Sequence, residues 1–186
     1  ILALLALTFP LAAHAADAKP DALAHGKGAD FTGGAKDLYG STVDGEEVNY
    51  VYAQPTGVHA SMQMKFTVSR VPVEPQFVHL KARDDDFHSH TAITIVLNGK
   101  TLFEGANTFA HPQWQTQKFA IPAGALKEGE NTLVISNRMK EGKTGMPPWF
   151  QVAACVIGAE QYVIRRDLCK DFWIAIPKEV RPMPEP

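Results

Sequence analysis

A run of acidic and histidine side chains lies near the middle of the chain, where residues 84–90 read DDDFHSH. In extended backbone, side chains two residues apart point to the same side. Mixed carboxylate and imidazole ligands on one side suit Zn²⁺ or another transition metal. The pattern therefore predicts a candidate metal site formed by Asp84, Asp86, His88 and His90. The alternative is an acidic loop that its like charges keep in solvent.

His-x-His also begins the metal motif of cupins, which requires a Glu a few residues later. Residues 92–95 read AITI and supply none, so the cupin motif is excluded. Nucleophilic catalysis also finds no support, because the sequence has neither a G-x-S-x-G elbow nor an H-E-x-x-H motif.

A second cluster, FAHPQWQ at residues 109–115, places an indole among amides and an imidazole. Sugar rings have apolar C–H faces that stack on aromatic rings, and their hydroxyls need donors and acceptors. His111, Gln113 and Trp114 are therefore candidate sugar-binding residues, unless Trp114 fills the end of the fold. Trp173 alternates with the apolar residues of DFWIAI, and is either an exposed platform or covered by the tail.

Composition excludes one class of partner. The formal net charge is -2, with acids and bases interspersed. No basic stripe is present to follow a phosphate backbone. We therefore expect no nucleic-acid partner.

The first residues predict export. Residues 1–15 are apolar and end in Ala-His-Ala, a small-x-small form that a signal peptidase cleaves, although the basic n-region is missing. The run is too short to span a bilayer, which needs about 20 apolar residues. We expect no membrane insertion after cleavage, and a periplasmic or extracellular protein. An oxidising compartment permits a Cys155–Cys169 disulfide, the alternative being a buried free thiol at one of them and an exposed thiol at the other.

The remaining chain divides by composition into three parts. Residues 16–44 form a leader or loosely packed N-terminal segment, residues 45–176 a β-domain, and residues 177–186 a proline-rich tail or linker. Short alternating apolar runs predict an all-β antiparallel sandwich of about eight strands. These strands are predicted at residues 47–53, 61–68, 76–82, 93–97, 101–103, 115–121, 131–136 and 149–157. The first hairpin after residue 90 turns at Asn98-Gly99, a pair that suits a type I′ turn.

A family resemblance rests on VLNGK at residues 96–100, Ile121-Pro122, and LKEGENTLVI at residues 126–135. In this order they resemble the galactose-binding-domain-like jelly roll. That fold occurs in sugar-binding domains of β-galactosidase-type glycoside hydrolases and in carbohydrate-binding modules. The resemblance covers about residues 45–160 and implies a jelly-roll sandwich. It also implies a structural calcium ion as a candidate cofactor, with the Asp run as a contributor.

The sequence therefore favours an exported, non-catalytic carbohydrate-binding or ancillary module that needs no cofactor beyond structural calcium. Its expected partners are a poly- or oligosaccharide and an associated glycoside-active protein. One alternative is a structural or protein-interaction sandwich without a sugar site, which burial of Trp114, Trp149 and Trp173 would favour. The other is a metal-dependent enzyme using the loop at residues 84–90.

Overall fold

Alternating apolar and polar side chains build a fold made almost entirely of short antiparallel strands. A computed structural model of the chain describes residues 22–36, 42–43, 45–84 and 90–160. The strands in these ranges are β1 (Ala24–Lys27), β2 (Thr32–Gly33), β3 (Ala35–Lys36), β4 (Thr42–Val43), β5 (Glu46–Glu47), β6 (Asn49–Tyr52), β7 (Ser61–Val68), β8 (Gln76–Asp84), β9 (Ala92–Leu97), β10 (Lys100–Ala106), β11 (Gln115–Ala120), β12 (Gly129–Asn137) and β13 (Trp149–Ala159). Two 3₁₀ segments, Gly28–Asp30 and Gln54–Ala60, accompany them. No helix in the described ranges is long and apolar enough to cross a membrane.

In these ranges the strands form two large sheets and one small pair. The first sheet has the order β11-β8-β13-β6-β3, with β1 also paired to β13, and the second has the order β10-β9-β12-β7-β2. Strands β4 and β5 pair with each other. The predicted all-β sandwich is confirmed, and each of the eight strands predicted between residues 47 and 157 corresponds to one of β6–β13.

The hydrophobic core lies between the two large sheets. Along β7, Met62, Met64 and Val68 are buried, whereas their neighbours Ser61, Gln63, Lys65 and Thr67 are exposed. Leu133 and Ile135 of the adjacent strand β12 are also buried. Burying a side chain of this size contributes roughly 1.5–3 kcal/mol. Strand β13 is buried from Phe150 to Ala159. A long apolar run of this kind is typical of a strand that is covered on both faces.

Residues 24–36 belong to the sandwich, which corrects their assignment to a leader or loosely packed segment. Strand β1 pairs with β13, β2 with β7 and β3 with β6, so this stretch contributes to both large sheets. Phe31 is buried in the core between these strands. Composition missed the pairing because backbone hydrogen bonds do not require the β-branched side chains that mark a strand in sequence.

The loops divide between two ends of the sandwich. Phe150 pairs with Asp84, and Asn137 with Ile93, so the connections that follow β6, β8, β10 and β12 lie together. We call this the loop end, and its described residues are 54–60, 90–91, 107–114 and 138–148. The other end, here the hairpin end, contains residues 69–75, 98–99 and 121–128. The Asn98-Gly99 turn has positive φ at both positions, 49° and 80°, as the type I′ prediction requires.

The buried carboxylate of Asp84 links the two sheets by hydrogen bonds at the loop end. Its side chain is 1% exposed, and its carboxylate accepts hydrogen bonds from Thr91 N (2.9 Å), Thr91 Oγ1 (3.2 Å) and Asn107 Nδ2 (2.8 Å). The Asn107 amide group also donates to Thr91 O over 2.8 Å. Because Asp84 ends a strand of the first sheet while Thr91 and Asn107 flank strands of the second, this network fixes one sheet against the other.

Cys155 lies in the middle of β13 as a buried free thiol. Its predicted partner Cys169 lies outside the described residues. Burial raises the pKa of the Cys155 thiol well above its usual range, which suppresses the reactive thiolate.

We expect Cys155 to resist alkylation in the native protein and to react fully after unfolding in guanidinium. The reason is that the thiol is both inaccessible and held protonated. Mass spectrometry of the peptide containing Cys155 measures this labelling separately from that of Cys169. Labelling of native Cys155 would contradict the buried position. Labelling in denaturant that appears only after reduction would show a disulfide instead.

We expect Asp84→Ala to destabilise the fold by roughly 3 kcal/mol, because it leaves buried donors of Thr91 and Asn107 without acceptors. Asp30→Ala is the matched control, since Asp30 is exposed and accepts from Lys27 N. Urea unfolding midpoints of both variants and of the wild type measure the difference. Equal losses in the two variants would show that the Asp84 network does not fix the sheets.

Candidate functional site at the loop end

The loop from Asn107 to Trp114 is held from inside the fold. Phe109 is fully buried, with its ring centroid 5.3 Å from that of Phe150. The backbone around it is fixed by side chains, since Phe109 N donates to Asn107 Oδ1 (3.0 Å) and Ala110 N donates to Gln115 Oε1 (3.1 Å). Phe109 is therefore a fixed anchor for the loop residues that follow it.

Trp114 is half-buried and lies against side chains on the outer face of the first sheet. The cluster it contacts consists of Val48, Tyr50, Tyr52 and Ala153, together with the half-buried Trp149. The guanidinium carbon of Arg83 lies 4.9 Å from the centroid of the Trp114 ring. The ring face under Arg83 is not open to a ligand. Only the remaining exposed surface of the Trp114 indole could contact one.

Arg83 is positioned by two further contacts. Its Nε donates to Gln151 Oε1 over 2.7 Å, and its Nη1 donates to Pro112 O over 3.3 Å. Gln151 is fully buried in the otherwise apolar strand β13, next to Arg83 in the sheet register. Arg83 thus connects the first sheet, the loop and the indole. A guanidinium fixed in this way adds a charged donor group to the cluster that the sequence predicted.

The aromatic layer beside Trp114 is closely packed. The rings of Tyr50 and Tyr52 stack at 5.9 Å, and Trp149 meets them edge-on at 5.6 and 5.7 Å. Such pairs contribute about 0.5–1.5 kcal/mol each beyond the area they bury. Trp149 is therefore mainly a packing residue, although it retains partial exposure.

His111 and Gln113 extend the cluster with polar groups. His111 is half-buried, and its Nδ1 lies 3.1 Å from the carbonyl oxygen of Asp84. A carbonyl only accepts, so His111 Nδ1 is the donor in this contact. Gln113 is exposed and offers both a donor and an acceptor. His111, Gln113 and Trp114 lie on one short loop, while Trp173 lies outside the described residues.

The predicted metal ligands are brought together only in part. His90 Nδ1 lies 3.3 Å from Asp84 Oδ2, and the His90 side chain is 57% exposed, whereas Asp86 and His88 lie outside the described residues. The Asp84 carboxylate is already bonded to Thr91 and Asn107. Within the described ranges, no group of three or more His, Cys, Asp or Glu side chains could hold a metal ion. The transition-metal site and the calcium site therefore stay predictions.

Sequence reasoning missed Arg83 and Gln151. One signal was available for Gln151, which is an amide within the apolar run WFQVAACVIGA of β13. A buried amide needs a partner, and a neighbouring strand that carries an arginine on the same face supplies one. Nothing in the sequence indicates that Arg83 meets Trp114, because the two residues are brought together by the pairing of β8 with β11.

No protein-family model and no curated protein sequence matches this chain. Among solved structures, a family 35 carbohydrate binding module from Clostridium thermocellum matches 74% of this chain and 99% of its own, with 16% sequence identity and a TM-score of 0.51. A family 35 carbohydrate binding module from an environmental isolate matches 70% of this chain and 88% of its own, with 16% identity and a TM-score of 0.48. A ruminal GH26 endo-beta-1,4-mannanase matches 75% of this chain but 26% of its own, with 12% identity and a TM-score of 0.49.

The likeness to the Clostridium thermocellum module shows the fold. It confirms the structural part of the resemblance drawn from residues 96–100 and 126–135. The chain is an antiparallel β-sandwich of the jelly-roll type that carbohydrate-binding modules also have.

Proposed function

We propose that this chain is a non-catalytic carbohydrate-binding module and that it binds sugar at the loop end. The observation that carries the proposal is the grouping of a half-buried indole, a fixed guanidinium, an imidazole and an exposed amide on one loop and its adjoining strand. The jelly-roll fold supports it, since one solved relative of that fold is described as a carbohydrate binding module. Export, predicted from residues 1–15, is part of the proposal.

The chemistry of the cluster matches what a sugar presents. The exposed surface of Trp114 can contact apolar C–H groups, while the exposed Gln113 amide can bond hydroxyls. The contacts of Arg83 and Phe109 hold the loop in place before a ligand arrives. A loop that is already ordered loses less conformational entropy on binding.

Two other functions would use the same chain differently. Packing of Trp114 against Arg83 and the aromatic layer favours a structural or protein-interaction module, in which this indole serves stability alone. A metal-dependent enzyme would need ligands beyond Asp84 and His90, the pair that the described part of the predicted metal site provides.

We expect Trp114→Ala to weaken binding to the best glycan by about tenfold, since an aromatic contact is worth up to about 1.5 kcal/mol. Gln113→Ala should weaken it by about fivefold, the value of one hydrogen bond. A glycan array with the full-length mature protein identifies the sugar, and calorimetry with and without calcium measures the affinities. Gln63→Ala is the matched control, because Gln63 is an exposed amide on the second sheet.

The exposed position of Gln113 keeps the test decisive even if Trp114→Ala unfolds the protein. Wild-type affinity in Gln113→Ala and in a folded Trp114→Ala would place the sugar site elsewhere. Absence of glycan binding by the folded wild type would favour the structural module. Binding that weakens as expected in both variants but not in Gln63→Ala would support the loop end as the site.

A further inference from the structure

Asn98-Gly99, which forms a turn at the hairpin end, is the dipeptide of this chain that is most prone to spontaneous deamidation. A glycine after an asparagine leaves its backbone nitrogen without steric protection, and this nitrogen can attack the asparagine side chain. Gly99 is exposed, and Asn98 is half-buried. The turn is therefore within reach of water, the other reactant that deamidation requires.

The Asn98 side chain is nevertheless held by three hydrogen bonds. Its Nδ2 donates to Asn131 Oδ1 over 2.7 Å and to Ala125 O over 2.8 Å, and its Oδ1 accepts from Thr132 N over 2.9 Å. Both amide hydrogens are thus used, and the amide plane is fixed. Moving the side-chain carbonyl carbon towards Gly99 N requires these three bonds to break.

Asn131 is itself immobilised. It is fully buried, and its Nδ2 donates to Lys127 O (2.8 Å) and Gly129 O (2.9 Å). Its Oδ1 also accepts from Lys127 N over 3.0 Å. The acceptor that faces Asn98 is therefore a fixed part of the turn that leads into β12.

We propose that Asn98 is a deamidation site. In the folded protein its hydrogen bond to Asn131 suppresses the reaction, and deamidation at Asn98 loosens the hairpin end. In the reaction, Gly99 N loses its proton and bonds to Asn98 Cγ. The bond from Cγ to Nδ2 breaks, ammonia departs with the proton, and a cyclic imide remains. Water then opens the imide at one of its two carbonyls and yields aspartate or isoaspartate.

The product does not fit the site that the asparagine fills. An aspartate carboxylate has no hydrogens to donate, yet it would face two acceptors, Ala125 O and Asn131 Oδ1. Two hydrogen bonds become two repulsive contacts between the β9–β10 turn and the segment that enters β12. The loop end lies at the other end of the sandwich, so a modified chain that remains folded keeps its candidate sugar site.

The first test compares deamidation of the wild-type chain in buffer and in guanidinium, with peptide mass spectrometry as the readout. We expect modification at Asn98 to be slower in the folded protein on the order of a hundredfold, the factor that three hydrogen bonds of ordinary net strength provide. Asn107-Thr108 serves as an internal reference, because a β-branched residue after asparagine hinders the same attack. Equal rates at Asn98 in the two solvents would overturn the proposal.

The second test separates the Asn131 contact from general stability. Asn131→Ala removes the acceptor for Asn98 Nδ2. Asn131→Asp keeps an acceptor oxygen facing Asn98, but it loses the donor group that bonds Lys127 O and Gly129 O. We expect faster deamidation at Asn98 in Asn131→Ala than in Asn131→Asp under conditions where both are folded. Equal rates in the two variants would overturn the role of Asn131. If either variant fails to fold, the comparison of folded and unfolded wild type decides.

A third measurement tests the consequence of the modification. Asn98→Asp should lower Tm by about 5 °C, since it replaces two hydrogen bonds with repulsive contacts. Gln63→Glu is the matched control, because it converts an exposed amide to a carboxylate and adds the same charge. A Tm loss in Asn98→Asp no larger than in Gln63→Glu would show that modification does not loosen the hairpin end.

Discussion

The loops of this sandwich depend on one constraint, which is that backbone N–H and C=O groups near the buried ends of strands need hydrogen-bond partners. Strand pairing cannot supply these partners where a sheet stops. Short polar side chains supply them instead. Asp84 and Asn107 do so at the loop end, where Asn137 Nδ2 also bonds Val51 O and Pro148 O, and Asn131 does so at the hairpin end. These side chains are almost completely buried, and each one links segments that are distant in sequence.

This constraint also explains why the candidate site is rigid. The segment that carries His111, Gln113 and Trp114 begins at Asn107, whose amide belongs to the Asp84 network, and it ends at β11 in the first sheet. Arg83 then closes the loop from the sheet side through Pro112 O. The exposed groups of the loop are consequently positioned in part by the buried contacts of Asn107, which a ligand would not touch. Changes in these contacts would alter affinity through loop order rather than through direct recognition.

Local patterns were sufficient to predict the eight strands β6–β13, because side-chain alternation and turn residues are local properties. The range of β7 was predicted to the residue, and the Asn98-Gly99 turn has the expected backbone angles. Two features were beyond local patterns. The strands of residues 24–36 depend on long-range pairing. The partners of Asp84 include Asn107, and nothing in DDDFHSH shows that this carboxylate is already bonded from across the sandwich.

The residues that carry the family resemblance and the residues of the candidate site lie at opposite ends of the sandwich. Asn98, Gly99 and Asn131 shape the turns of the hairpin end, and each has a structural reason to be there. Trp114 and Arg83 belong to the loop end, and neither is part of the motifs on which the resemblance rests. A chain can therefore keep the scaffold motifs while its loop end changes, so the fold likeness describes the scaffold and not the ligand. The decision between a sugar-binding module and a structural one must come from the loop end itself, where Arg83 already covers one face of the indole that a sugar would use.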